Sequence, residues 1–244
     1  MGFVDEAPFA MRVAILADIH ANIHALEAVL ADCRNEAVEH FIVAGDLVGY
    51  YYWPGPVIQR LMHDACVTCI RGNHEDILAE TLISPVAAER YREKYGSGYD
   101  VCRDTLSDDE LQWLLHLPVR AELTLEGIHF SVHHGSPAAT DEYIYPEAAA
   151  DVLARCHAGR DFTVLGHTHY PFIHHMDGRV LLNPGSVGQP RDYGGQACYA
   201  LIDLANRVVR FKRVPYEFGH VIAAAQVRDP ALGYLHKIMT RRTL

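Results

Sequence analysis

The sequence predicts an α/β protein built on two sheets. Three observations predict it. Apolar strand-like runs alternate with helical patterns through the first third of the chain, the pattern changes to hairpins after Pro118, and the polar motifs fall just beyond the C-terminal ends of predicted strands. Repeated β-α-β order implies parallel strands with right-handed crossovers. Open α/β sheets bind ligands beyond the carboxyl ends of their strands.

Residues 1–10 carry acids and a proline and lack the basic start and apolar core of a signal peptide, so they read as a short extension. Residues 13–17 form a buried strand running into Asp18 and His20, which an extended backbone would put on one side. Ile23, Leu26, Val29 and Leu30 have helical spacing, and residues 41–44 are a short strand ending at Gly45-Asp46. Pro54 opens a helix with Val57, Ile58, Leu61 and Met62 on one face. A strand over 66–70 ends at Arg71 and the run Gly72-Asn73-His74-Glu75. Residues 76–118 read as helical, with a capping box from Ser107 to Glu110 ahead of Leu111, Leu114, Leu115 and Leu117. Strands at 121–125 and 128–132 flank Glu126-Gly127 as a hairpin. A helix over 146–157 follows, then a strand over 162–165 ending at Gly166-His167-Thr168-His169. Short strands at 172–175 and 180–182, a turn-rich loop over 183–188 and a hairpin of 199–204 with 208–214 complete the pattern. One or two short helices are expected within 223–238. With no linker, repeat or low-complexity tract, residues 1–244 read as one domain, with 217–244 as a tail.

Half of the 244 residues are apolar and 21% are charged, as in a globular protein. No apolar run approaches the roughly 20 residues of a membrane span. The net charge of −10 argues against a non-specific nucleic-acid binder. The six scattered cysteines suggest no disulfide framework and, with the missing signal peptide, a cytoplasmic location. Cys66 and Cys69 face opposite ways on a strand, which disfavours a shared metal or disulfide, and both read as buried core thiols.

Five stretches carry the candidate chemistry: Asp18-Ile19-His20, the Gly45–Gly49 run with Asp46, Gly72-Asn73-His74-Glu75, His133-His134-Gly135, and Gly166-His167-Thr168-His169. Each alone is weak, since a Gly-Asp after a strand is usually a turn and paired histidines can be surface residues. All five, each after a strand and in this order, point to one site. Carboxylate, amide and imidazole groups suit Mn, Fe, Co, Ni or Zn better than Ca.

This order of motifs resembles the calcineurin-like metallophosphoesterase superfamily over about residues 11 to 214. Stretches beginning at Gly45, His134 and Asn183 look nearest to its small bacterial and archaeal single-domain phosphodiesterase branch. The resemblance implies a four-layer αββα sandwich of two mixed β-sheets. It implies that Asp18, His20 and His169 hold one metal, that Asp46 bridges two, and that Asn73, His134 and His167 complete the second. His74 would sit beside the substrate, contacting phosphate or protonating the leaving oxygen. The implied activity is hydrolysis of a phosphodiester or nucleotide-type phosphate ester by a metal-bridging water or hydroxide. The implied cofactors are two divalent transition metal ions, manganese foremost, with iron, nickel, cobalt or zinc as the other candidates. The expected partner is a small phosphate ester or nucleotide, with no nucleic-acid scaffold and no membrane; the oligomeric state is open. Glycines at 45, 72, 135 and 166 would permit the sharp turns that aim the ligands.

Several positions stay open at this level. Of the adjacent His133 and His134, only one faces the metals, and His134 precedes the glycine as in the family. His24, His174 and His175 read as surface residues. Asn22 either touches the site or caps the first helix. Arg191 reads equally as a bidentate phosphate ligand and as a surface arginine. The run Tyr50-Tyr51-Tyr52-Trp53 departs from the relatives; it either stacks on a base or forms a packing patch or oligomer contact. Residues 138–145 would form another rim. The Asp-Arg-Gly run of the animal protein phosphatases is absent, which weakens a phosphoprotein phosphatase reading. That reading and a non-catalytic scaffold of the same fold are the alternatives. A cleft walled by aromatics would favour the nucleotide, and a shallow open one the phosphoprotein.

Overall fold

The computed structural model describes residues 11–242, so the extension over 1–10 lies outside the described residues. The chain begins β1 (Arg12–Leu16), α1 (Ile23–Asn35), β2 (His40–Ala44), α2 (Pro54–Leu61), β3 (Val67–Ile70), α3 (Asn73–Ile83) and α4 (Pro85–Tyr95). It continues α5 (Gly98–Thr105), α6 (Asp108–Leu115), β4 (Arg120–Leu125), β5 (Ile128–His133), α7 (Ala150–Cys156) and β6 (Phe162–Val164). It ends β7 (Pro171–Met176), β8 (Arg179–Pro184), β9 (Gln196–Asp203), β10 (Val208–Pro215), α8 (Gly219–Arg228) and α9 (Tyr234–Lys237).

One sheet has the order β10-β9-β1-β2-β3 and the other β4-β5-β6-β8-β7. The three β-α-β strands pair in parallel, and β9 joins β1 antiparallel, which makes the sheet mixed. From Val13 to Leu16, β1 is apolar because both of its faces are covered. Val13 and Ile15 enter a core between the sheets with Phe130, Val132, Phe162 and Val164, while Ala14 and Leu16 face the helical layer of Leu26, Val29, Val57, Ile58 and Leu114. On the far side, Leu153 and Cys156 of α7 cover Leu165 and Leu181. The result is four layers, αββα. A further cluster packs Val221, Ala225, Leu235 and Met239 of the last helices onto Tyr50, Tyr51 and Tyr52.

Four expectations need correction. β3 begins at Val67, which leaves Cys66 exposed; of the two, only Cys69 is a core thiol. The helix expected from residue 146 starts at Ala150, because a turn closes between Ala148 N–H and the Tyr145 carbonyl and Ala149 is extended at ψ 148. The loop expected over 183–188 loses its start to β8, which runs to Pro184. The tail helices begin earlier than expected, at Gly219. No helix among the described residues is long and apolar enough to cross a membrane.

Candidate metal centre

The motif loops leave the ends of β1, β2, β3, β5 and β6 and mesh through their backbones. Asp18 N–H donates to the Gly45 carbonyl at 3.1 Å, His20 N–H to Asp46 at 3.0 Å, and Gly166 N–H to His134 at 2.7 Å. The extended backbone expected between Asp18 and His20 is not what brings them together. Asp18, His20, Asp46, His167 and His169 have φ of 54°, 52°, 56°, 70° and 64°. Each left-handed non-glycine residue costs of the order of 1–3 kcal/mol and persists only where its surroundings impose it. The sharp turns thus sit in the candidate ligands themselves. Gly45 takes φ +88° as expected, whereas Gly72 is needed for space: a Cβ there would lie 2.2 Å from Asp46 Oδ1.

The side chains converge in overlapping groups able to hold a cation: Asp18, His20 and His169; His20, Asp46 and His74; and Asp46, His134 and His167. Asp46 links the last two. Its Oδ1 accepts from His74 N–H at 2.9 Å. Its Oδ2 lies 3.2 Å from His134 Nε2 and 3.8 Å from His20 Nε2. Asn73 Oδ1 lies 3.1 Å from His134 Nε2.

Backbone carbonyls fix how three of these rings point. Nδ1–H of His20 donates to Val48 O at 3.0 Å, of His169 to Gln189 O at 2.7 Å, and of His134 to Ala44 O at 2.7 Å. A neutral imidazole bound this way presents its Nε2 lone pair inward. His167 is reversed: Nε2–H donates to Asp141 O at 3.2 Å, leaving Nδ1 for the site. The Nε2 atoms of His20 and His169 stand 3.1 Å apart, so two lone pairs face each other. Asp18 Oδ1 accepts from His167 N–H at 3.1 Å, but its buried Oδ2 has no partner. A cation between Asp18, His20 and His169 satisfies all three atoms, so the residues present fit a divalent metal.

The electrostatics agree with that fit. Burial pushes the Asp18 carboxyl up to about 8, against the pull of His134. Burial opposes charge on His134, yet the Asp46 carboxylate raises it to about 10. Burial would raise Asp46, but His134 and then His74 hold it well below the usual carboxylate range. Burial lowers His20 and His169 well below the ordinary imidazole value, and His167 to about 4. At neutral pH the metal-free centre therefore keeps protons on Asp18 and His134, which a bound cation displaces. Affinity must then rise with pH, because fewer protons remain to be displaced. We expect about tenfold per pH unit for each proton released, counting both groups below pH 8 and His134 alone above it. Calorimetric titration with Mn in buffers of different ionisation enthalpy measures this, and an affinity flat between pH 6 and 8 contradicts it.

His74 is buried beside this centre, with Nε2 4.0 Å from Asp46 Oδ2. Burial holds its ring neutral by lowering its pKa to about 4. Tyr50 packs edge-on against His20 at 4.6 Å and tilted against His74 at 4.8 Å. Arg191 is half-buried with no hydrogen bond or ion pair to its guanidinium among the described residues. Burial lowers its pKa, but Tyr50 and Asp18 raise it overall.

Asn22 does not reach the site. It is fully buried; Oδ1 accepts from Ala25 N–H, and Nδ2 donates to Gly188 O and Tyr216 Oη. Both of its N–H groups and one lone pair of Oδ1 go to capping α1 and tying loops together, which removes it from the substrate contacts. His24 is half-buried, its ring against Trp53 at 4.7 Å and His220 at 5.5 Å, so it is not a plain surface residue. His133 bonds Ser131 Oγ at 2.7 Å, away from Asp46. Tyr51 and Tyr52 form no open stacking rim: they are buried, and their hydroxyls donate to Leu235 O and Asp229 Oδ2.

The aromatic wall is made elsewhere. A cleft of about 580 Å³ opens over Asn73 and His167, lined by Tyr91, Tyr95, Tyr143 and Lys94. Tyr91 and Tyr95 stack at 6.0 Å, Tyr143 and Tyr145 at 5.8 Å, and Tyr143 lies 4.0 Å from the His167 ring. Residues 138–145 thus do supply a rim.

Sequence reasoning missed Glu75, which is buried and accepts from four backbone N–H groups: Asp46 at 3.0 Å, Leu47 at 2.8 Å, Val48 at 3.1 Å and Gly72 at 2.7 Å. It shapes the loop that carries Asp46. The available signal was its place three residues after Gly72, where a capping-box acid sits.

Comparison with known proteins gives a consistent result. Residues 11–207 match the calcineurin-like phosphoesterase superfamily domain. The chain is 30% identical over 224 residues to an uncharacterized protein, MJ0912, of Methanocaldococcus jannaschii, covering 84% of this chain and 88% of that one. It is similar to a metallophosphoesterase from Sphaerobacter thermophilus, at 31% identity and a TM-score of 0.74, covering 94% of this chain and 98% of the other. A hypothetical protein, PH1004, from Pyrococcus horikoshii OT3 shares the fold at a TM-score of 0.80 and 22% identity, covering 95% and 98%.

Proposed function

The chain belongs to the calcineurin-like phosphoesterase superfamily, and we propose that it hydrolyses a phosphodiester or nucleotide-type phosphate ester at a two-metal centre. The observation that carries this reading is the position of Asp46 Oδ2, 3.8 Å from His20 of the group with Asp18 and His169 and 3.2 Å from His134 of the group with His167, beside a buried Asp18 Oδ2 that has no partner. Asp18, His20, His169 and Asp46 would hold one ion, and Asp46, Asn73, His134 and His167 the other. When bound, two divalent ions supply Lewis acidity to the phosphoryl group and lower the pKa of the attacking water. The mixed oxygen and imidazole donors suit manganese, iron, cobalt, nickel or zinc.

The chain's own residues do the rest. The carbonyls of Val48, Ala44 and Gln189 hold the imidazoles in register before any ligand arrives. Arg191, with no hydrogen bond or ion pair to its guanidinium among the described residues, can take a phosphate oxygen pair. His74 offers a ring nitrogen toward the same space. The tyrosine-lined cleft accommodates a flat leaving group, and its volume is that of a small-molecule site. This favours a nucleotide-type ester over a phosphoprotein, for which a shallow open surface would be expected. The complete donor set speaks against a scaffold without chemistry.

The test is an assay of bis(4-nitrophenyl) and 4-nitrophenyl phosphate with and without Mn, followed by nucleotides. We expect Mn-dependent cleavage with the diester preferred. Absence of cleavage of any aryl ester or nucleotide with Mn, Ni and Co would sink the proposal.

A further inference from the structure

Tyr99, on α5, is 3% exposed, and its phenolic oxygen lies 2.6 Å from His74 Nδ1. The two rings stack at 5.8 Å and 26°. Among the described residues the hydroxyl has no other hydrogen-bond partner. Its proton therefore goes to Nδ1, since a buried O–H left without an acceptor costs about 1–3 kcal/mol. A neutral ring that accepts at Nδ1 carries its own hydrogen on Nε2. A protonated ring carries one there too. Only the neutral Nδ1–H form would turn a lone pair toward Asp46, and that form strands the phenol proton.

We infer that Tyr99 is a positioning residue that locks His74 as an Nε2–H donor facing the phosphate ester. The use made of that donor rests on the phosphoesterase reading above; the tautomer does not. An N–H at Nε2 donates to a phosphoryl or leaving oxygen, whereas a lone pair there would repel both. The lock is itself held from far along the chain. Ser97, just ahead of α5, donates its backbone N–H to both Asp229 oxygens at 3.0 Å and its hydroxyl to Oδ2 at 3.0 Å. Tyr52 donates to the same Oδ2 at 2.8 Å. The tail thereby fixes the first turn of α5 and, with it, Tyr99.

Imidazole ¹⁵N–¹H correlation spectra of the metal-free protein test the lock, with the His74 signals assigned by their loss in His74→Asn. The expected wild-type form is Nε2–H, shifting to a mixture in Tyr99→Phe, which keeps the ring and its packing. A wild-type Nδ1–H form, or a tautomer unchanged in Tyr99→Phe, overturns the inference. Kinetics give a second reading. Tyr99→Phe should lower kcat on a phosphodiester about tenfold with little change in KM, yet add no further loss in the His74→Asn background. An additive loss there would mean Tyr99 acts through packing, and the inference falls. If the wild type cleaves nothing, the phosphoesterase reading fails, and the spectra still decide the tautomer.

Discussion

Asp46→Asn is expected to reduce the bound metal from two ions per chain to one or fewer and to slow hydrolysis about 10³-fold. The carboxylate oxygen it removes is the atom 3.2 Å from His134 Nε2 and 3.8 Å from His20 Nε2. An amide leaves the local shape intact and can keep the bond that Oδ1 accepts from His74 N–H. It removes the negative charge that the two ions would share, and loss of one preorganised electrostatic group already costs about 10²–10³-fold. Metal content by mass spectrometry and kcat/KM on a diester measure both effects. Two ions retained with activity within tenfold of wild type would contradict the shared-bridge account.

Glu75→Ala should be the most destabilising single change near the centre. Four buried N–H groups, from Asp46, Leu47, Val48 and Gly72, lose their acceptor together. Each orphaned buried donor costs about 1–3 kcal/mol, and water entering the gap recovers part of that. A loss of about 4 kcal/mol is expected from urea denaturation of the metal-free protein, with weakened metal binding because the Asp46 loop is no longer held. Glu75→Gln should fall between, since it keeps one acceptor oxygen but turns an NH₂ toward donors. Burial raises the Glu75 carboxyl to about 7, so the ionised acceptor is fully present only above that pH. A loss below about 1 kcal/mol for the alanine variant would show that the loop holds its shape by other means.

The sequence made the layers and the ligand types readable because both depend on local pattern. A continuous apolar run such as Val13 to Ala17 announces a strand covered on both faces, and a polar motif just after it announces a strand-end site. The order of the five motifs then pointed to Asp18, His20, Asp46, Asn73, His134, His167 and His169, which the fold brings together. What stayed hidden was long-range or conformational. The left-handed φ values at five of those candidate ligands leave no mark on composition. Glu75 and Tyr99 act through partners that only the folded chain supplies. Asp229 meets Ser97 across 132 residues of sequence, and no periodicity reports such a contact. Asn22 was legible as a helix cap but not as a residue whose amide also ties Gly188 and Tyr216 to α1. The four aromatics from Tyr50 to Trp53 suggested a stacking wall, yet three of them are core for the tail helices, with Trp53 packed against them, and the wall comes from Tyr91, Tyr95 and Tyr143 instead.

The most direct test of the two-metal centre is anomalous diffraction from crystals of the Mn-loaded protein. Two peaks sharing Asp46 are expected, one beside Asp18, His20 and His169 and the other beside Asn73, His134 and His167. A single peak, or none near Asp46, would contradict it.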